Sequence, residues 1–221
     1  MRSAGFRFEG ALNASVVLTE EITSMSITAK LGLPAQTVDT TTDLAREMLE
    51  TAKAKMGFVP NMYANMVNSP GLLETYLLGY KRFREQSGFT SVEQEVVLLT
   101  ISRFNGCTYC MAAHSMIADK MSKVPAEVLA ALRAGGPIPD SKLAVLSAFT
   151  QILLDQRGNP TPEQLNDFKA VGYTDRQVLE IVLAIAVKTL SNYCNHLFQT
   201  SVDTAFQKYV WQPVMELVKT R

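Results

Sequence analysis

Helix-start signals divide this chain at short intervals, and they constrain its fold more than any other feature. Thr90-Ser-Val-Glu93 is a capping box, in which a threonine and a glutamate three residues on satisfy each other's backbone N–H groups. The apolar run 94-QEVVLLTISRF-104 follows it. Ser69-Pro70 pairs an N-cap residue with a first-turn proline and opens a helix running to Gly88. Asn105-Gly106 ends the helix that Thr90 began. Pro125 opens another, closed by Gly135-Gly136. Asp140 caps 141–158, Thr161-Pro162 opens 163–172, and Thr174 opens a long apolar helix running past Cys194. Ahead of these, 43-DLAREMLETAKAKMG-57 has helix-forming composition, and 35–44 is a polar lead-in to it. No convincing series of alternating strands bounded by turns is found, so the class is all-α.

The chain has 221 residues, enough for one domain or one and a half with a proper core. Lys+Arg and Asp+Glu both number 21, and no basic stripe appears, so no nucleic-acid partner is expected. No apolar run reaches about 18 residues, so no membrane span is expected. The longest, 178-VLEIVLAIAV-187, contains Glu180 and is followed by Lys188. Three cysteines do not make a secreted disulfide scaffold, and the expected location is cytoplasmic. Residues 1–40 read as a weakly packed N-terminal extension to a helical domain spanning 41–221. The short apolar patch of the extension runs into Glu20-Glu21 without a cleavage site, which argues against a signal peptide, and Met25 is a plausible translation start.

Sliding the chain by 84 residues lays 88-GFTSVEQ-94 on 172-GYTDRQV-178 and Tyr109-Cys110 on Tyr193-Cys194. The expectation is a degenerate two-copy helical repeat. The chemistry does not repeat: Glu95 falls on Leu179, Cys107 on Ser191 and His114 on Phe198, as if packing replaced a polar site.

The chemistry concentrates in 104-FNGCTYCMAAHS-115. Two of the three cysteines lie three apart, and one of the two histidines follows four later. On a helix beginning near Gly106, Cys107, Cys110 and His114 line one stripe. The two cysteines then sit in or near the first turn, where unpaired N–H groups and the helix dipole favour a thiolate. A histidine one turn along can accept or relay the proton. Two other readings compete. Both cysteines can be ordinary core residues. Three ligands on one face, with Glu95 as a fourth, can hold zinc. Structural zinc, however, usually draws ligand pairs from separate segments, and Cys194-Asn-His196 is a poor second pair, so no metal is expected.

The spacing of Glu95, Cys107, Cys110 and His114 matches the signature of the AhpD-like alkylhydroperoxidases, within the carboxymuconolactone decarboxylase superfamily. The segment 56-MGFVPNMYANMVNSPGLLETYLLGY-80 resembles the upstream segment of the same family, and the form NGCTYC resembles its peroxidase-related subgroup. The resemblance covers roughly residues 42 to 205. It implies an AhpD-like all-α fold, a homo-oligomer (a trimer or hexamer), and a peroxidase whose Cys-x-x-Cys cycles between dithiol and disulfide. It makes Cys110 the peroxidatic thiol, Cys107 the resolving one, and Glu95 with His114 the proton relay. Position alone favours Cys107 as the attacking thiol, since it lies nearest the helix start; the resemblance, and the proximity of a base, favour Cys110.

One departure from the family stands out. Tyr109 occupies the place between the cysteines where the best-studied members carry a second histidine, and a phenol is a poor base at neutral pH. A shorter relay, with weaker peroxidase activity or another substrate, is the expected consequence. No flavin, haem or nicotinamide motif appears, so no cofactor is expected, and the reductant is expected to be an external dithiol of lipoyl or thioredoxin-like type. Two alternatives remain open: a lactone decarboxylase or isomerase of the carboxymuconolactone type, and a non-catalytic redox-sensing oligomer.

Overall fold

The computed structural model describes residues 28–213. In chain order the described residues form α1 (Asp43–Met56), α2 (Asn61–Met66), α3 (Pro70–Gln86), α4 (Ser91–Phe104), α5 (Thr108–Lys120), α6 (Ala126–Ala134), α7 (Ser141–Asp155), α8 (Pro162–Ala170) and α9 (Asp175–Phe198). A 3₁₀ helix, Thr204–Tyr209, follows. No strand occurs among the described residues, as the all-α reading requires. Residues 1–27, most of the expected extension and with it Met25, lie outside the described residues. Residues 28–42 form no helix; the Leu31 N–H donates to the Leu197 carbonyl (2.9 Å) and the Gln36 N–H to the Ala64 carbonyl (2.8 Å).

The helix starts follow their caps. Reciprocal capping boxes open α4 (Thr90 and Glu93), α8 (Thr161 and Gln164) and α9 (Thr174 and Gln177). The Asp140 carboxylate accepts the Leu143 N–H at 2.9 Å to open α7. Ser69 occupies the N-cap of α3 without a side-chain cap bond, leaving Pro70 as the operative signal. α7 stops at Asp155, short of the expected Gly158, because Arg157 (φ 52°) and Gly158 (φ 81°) both turn left-handed.

Two elements escape the sequence reading, α2 and the 3₁₀ helix, and they are fastened to each other. The Asp203 carboxylate, just ahead of the 3₁₀ helix, accepts the Asn61 N–H at the start of α2 (3.1 Å) and the Tyr109 hydroxyl of α5 (2.5 Å). A cap supplied from 142 residues away leaves no local pattern.

α4 is the central helix. Every residue from Glu93 to Ser102 is buried, as expected for a helix enclosed on all sides by α5, α6, α7 and α9. One half of the core gathers around Leu98, Ile101, Leu146 and Ile181. Within it, Phe149 stacks on Phe168 (4.3 Å between ring centres) and Phe168 on Tyr173 (4.6 Å). The other half gathers Leu49, Met66, Leu73, Tyr76, Val187 and Phe206 around the two cysteines of α5.

α9 is long and apolar enough to cross a membrane by length and composition, but here it packs against α2, α3, α4, α5 and α7. Its start echoes that of α4: Gly88 (φ 73°) and Gly172 (φ 97°) precede matching capping boxes. The echo stops there. The chain turns through Gly106 (φ 66°) between α4 and α5, whereas α9 runs unbroken through the matching positions Thr189 and Leu190. A full two-copy unit is therefore not established. Leu179, expected to pack in place of Glu95, is 69% exposed, because it lies on the outer face of α9 while Ile181, Ala184, Val187 and Lys188 are buried.

Candidate active site

The Asn105-Gly106 break places Cys107 at the N-cap of α5 and Cys110 in its first turn, with His114 one turn further along the same face. The break is tight: the Cys107 N–H donates to the Ser102 carbonyl and the Met111 N–H to the Cys107 carbonyl, both at 2.9 Å. Cys107, Cys110 and Cys194 are all free thiols and all buried.

The structure brings the four sequence-identified residues to one place. His114 Nδ1 lies 2.9 Å from Glu95 Oε2, and Glu95 Oε1 accepts from Arg84. Glu95 is enclosed completely. Burial pushes its carboxyl up, but His114 and Arg84 outweigh that and hold it below the usual carboxylate range, so it is ionised at neutral pH. A carboxylate only accepts, so His114 carries its proton on Nδ1 and keeps a lone pair on Nε2. Burial and the charge of Lys188 hold the imidazole below its ordinary value despite Glu95, leaving it neutral. His114 makes no hydrogen bond to either sulfur and acts on the pair through space.

The two thiols differ sharply. Cys107 is held well above the ordinary thiol range, first by its proton-sharing interaction with the Cys110 sulfur and then by burial. Burial alone would raise Cys110 as well. The Cys107 interaction, the charge of Lys188 and, once it has taken the thiol proton, the charge of His114 outweigh it, holding Cys110 well below the ordinary range. Cys194, raised by burial to about 11, is inert by comparison.

Sequence reading missed two groups of residues here. Arg84 lies on α3, donating to Glu95, to the Tyr80 hydroxyl (2.7 Å) and to Gln94 (3.1 Å). α9 contributes a polar stripe. Asn195 Nδ2 donates to Cys110 Sγ at 3.4 Å and lies 3.7 Å from Cys107 Sγ, and Ser191 Oγ lies 4.0 Å from Cys110 Sγ. Ser191 therefore belongs to the cysteine site itself, and does not mark a second, packed copy of it. Lys188, Ser191, Asn192 and Asn195 recur at helical spacing along one face of an otherwise apolar helix, a pattern visible in the sequence. Tyr109, between the cysteines, is turned away to Asp203, and burial and that carboxylate push its phenol up.

Two openings approach the site. A polar cleft of about 490 Å³ is lined by residues 105–109, Asn195, His196, Gln199 and Thr200, and ends at Cys107. An apolar groove of about 610 Å³ between α1 and α3 has Tyr63 and Tyr80 in its wall. Among the described residues, no three His, Cys, Asp or Glu side chains converge as a metal-binding group.

Residues 70–151 match the model of the carboxymuconolactone decarboxylase family. No curated protein matches the chain significantly by sequence. Among solved structures, the alkylhydroperoxidase AhpD core of a peroxidase-related protein from Ralstonia eutropha JMP134 superposes with a TM-score of 0.70. It is 20% identical, over 79% of this chain and 93% of that one. A peroxidase-related protein from Silicibacter sp. TM1040 gives a TM-score of 0.66 at 19% identity, over 84% and 97%. The debrominase Bmp8, in complex with 2,3,4-tribromopyrrole, gives 0.61 at 17% identity, over 83% and 95%. The family match spans α3 to α7, and over about four-fifths of its length the chain shares the AhpD-like all-α fold of these structures.

Proposed function

We propose that this protein is a thiol-dependent peroxidase that cycles Cys107 and Cys110 between dithiol and disulfide. The observation that carries the reading is the asymmetry of the pair. Of two buried cysteines at one helix start, Cys110 lies in the first turn of α5, one turn from His114, and takes the closer Asn195 N–H (3.4 Å against 3.7 Å), while Cys107 sits at the N-cap where the polar cleft ends; these surroundings favour the thiolate on Cys110 and the thiol on Cys107. An attacking and a resolving thiol need these two states. The family match over residues 70–151 and the shared AhpD-like fold support a peroxidase-related or decarboxylase-like activity, and the pair favours the first.

In the cycle, the Cys110 thiolate attacks the terminal oxygen of a hydroperoxide, ROOH. The O–O bond breaks, Cys110 becomes a sulfenic acid, and the departing alkoxide takes a proton to leave as ROH. Neutral His114, its Nδ1–H fixed by Glu95, has the lone pair to accept the original thiol proton and return it to the alkoxide. Cys107 then condenses with the sulfenic acid, releasing water and closing the disulfide.

An external dithiol, of lipoyl or thioredoxin-like type, reopens the disulfide by exchange. The polar cleft ends at Cys107, so the reductant attacks that sulfur and Cys110, the better leaving thiolate, departs. A free buried dithiol suits a reducing cytoplasm. Self-association as a trimer or hexamer belongs to the same reading, since Leu44, Met56 and Leu78 stand exposed around the α1–α3 groove.

The test is turnover with an organic hydroperoxide and a dithiol, with the disulfide mapped by mass spectrometry. The expected result is loss of two thiols per peroxide, restored by the dithiol, with a Cys107–Cys110 link and Cys194 still reduced. Lactone decarboxylation without thiol loss would support the decarboxylase alternative, and a single oxidation without cycling would reduce the pair to a sensor.

A further inference from the structure

The cycle above uses Glu95, His114 and the two cysteines, and leaves one buried charge of the site without a task. Lys188, midway along α9, is 0% exposed, and its Nζ has no hydrogen-bond partner. An ammonium enclosed in this way persists only beside an opposite charge. The nearby carboxylates are engaged: Glu95 takes Arg84 and His114, and Asp203 takes Tyr109 and the Asn61 N–H. Lys188 forms no ion pair with either. It shares its helix face with Ser191 and Asn195, the residues that meet the cysteine sulfurs at 4.0 and 3.4 Å.

We propose that Lys188 is the counter-ion of the Cys110 thiolate, and that the α9 stripe is a thiolate-holding face. Lys188 supplies the charge, Asn195 the hydrogen bond, and the first turn of α5 the dipole. The proposal rests on the reading of Cys110 as the attacking thiol.

The other groups facing Cys110 leave this place open. From α5 come Cys107, Tyr109 and His114; from α2 comes Tyr63; from α3 come Tyr76 and Tyr80. Burial pushes all four phenols up, so they are neutral at pH 7, and the imidazole is neutral as well. Arg84 is matched by Glu95. The direction of the Cys110 shift agrees, since the charge of Lys188 is among the influences that lower it.

The experiment titrates the thiolate by its absorbance at 240 nm and by iodoacetamide alkylation, in a Cys107→Ser background, with Lys188 retained or changed to Met or Arg. Lys188→Met is expected to raise the Cys110 pKa by about one unit or more and to slow alkylation about tenfold at pH 6 to 7. Alkylation at pH 10 should be unchanged, and Lys188→Arg should keep the low pKa. An unchanged titration in folded Lys188→Met overturns the proposal.

If Lys188→Met does not fold, thermal unfolding of Cys110→Ser decides. Loss of the thiolate should lower the midpoint at pH 7, and Lys188→Gln should recover part of that loss; additive losses overturn the proposal. Neither measurement uses peroxide. A normal titration shift without turnover therefore sinks the peroxidase reading alone, and turnover without a shift sinks this one alone.

Discussion

Replacing Glu95 by Gln tests the relay more sharply than removing it. The carboxylate is enclosed completely and accepts from two donors, His114 Nδ1 and Arg84 Nη2. A glutamine of the same shape offers one carbonyl oxygen and one NH₂. If the oxygen stays on Arg84, the NH₂ faces His114 and forces the other tautomer, with Nδ1 accepting and the proton moved to Nε2. The lone pair the thiol needs is then spent on residue 95. One charge-assisted bond weakens to a neutral one and Arg84 loses its counter-charge, which costs about 2–4 kcal/mol. The lower end is expected, because Arg84 keeps the Tyr80 hydroxyl and Gln94.

The stability gap has a defined pH dependence. The folded pKa of Glu95 lies below its unfolded value, so its contribution is complete above about pH 5 and is lost as pH falls through the folded pKa. Urea unfolding of the two proteins should therefore differ at pH 7 and converge in acid. The reaction of Cys110 with peroxide, followed by stopped flow, should fall about 10²-fold at pH 7, the usual scale of a general acid–base contribution. The deficit should shrink at pH 9, where hydroxide removes the thiol proton directly. Equal losses at pH 7 and pH 9, or a normal rate with the tautomer shown by imidazole ¹⁵N shifts to be reversed, would refute the relay.

Two further outcomes follow from side chains around the pair. Ser191→Cys brings a third thiol to a position 4.0 Å from Cys110 Sγ, so mild oxidation should link residue 191 to Cys110; peptide mapping that finds it joined to Cys194 would show that α9 does not face the pair as described. Tyr109→Phe removes the 2.5 Å bond to Asp203 and should cost about 1.5–3 kcal/mol in urea unfolding, with the peroxide rate at pH 7 within about twofold of the parent. A tenfold slower reaction at unchanged stability would put the phenol in the relay instead.

The parts of this molecule legible in the sequence are those written locally. Thr90 with Glu93 and Thr174 with Gln177 cap their helices in the structure as their spacing demands. Cys107, Cys110 and His114 fall on one face because a single break at Asn105-Gly106 sets the phase of α5. Glu95 was reachable only through resemblance, since nothing in its own neighbourhood says that α4 will lie against α5. α2 was not legible, because its cap comes from Asp203 and its six residues are too few to show a period.

α9 shows why burial is the hardest property to read. In the sequence, Lys188 is the charge that ends an apolar run, the ordinary mark of a helix emerging into water. In the fold it is the most enclosed cation near the cysteines, because α9 continues for ten residues beyond it and packs against α2, α3, α4, α5 and α7. The clue was periodic. Polar residues at 188, 191, 192 and 195 share a face, whereas a solvated face of α9 would have to include Leu179 and Val182, which are the residues that stand exposed. A polar stripe opposite an apolar exposed face inverts the usual arrangement of a surface helix. Such an inversion is stable only where the stripe meets charge or hydrogen-bonding partners inside, and in this fold those partners are the two sulfurs of α5.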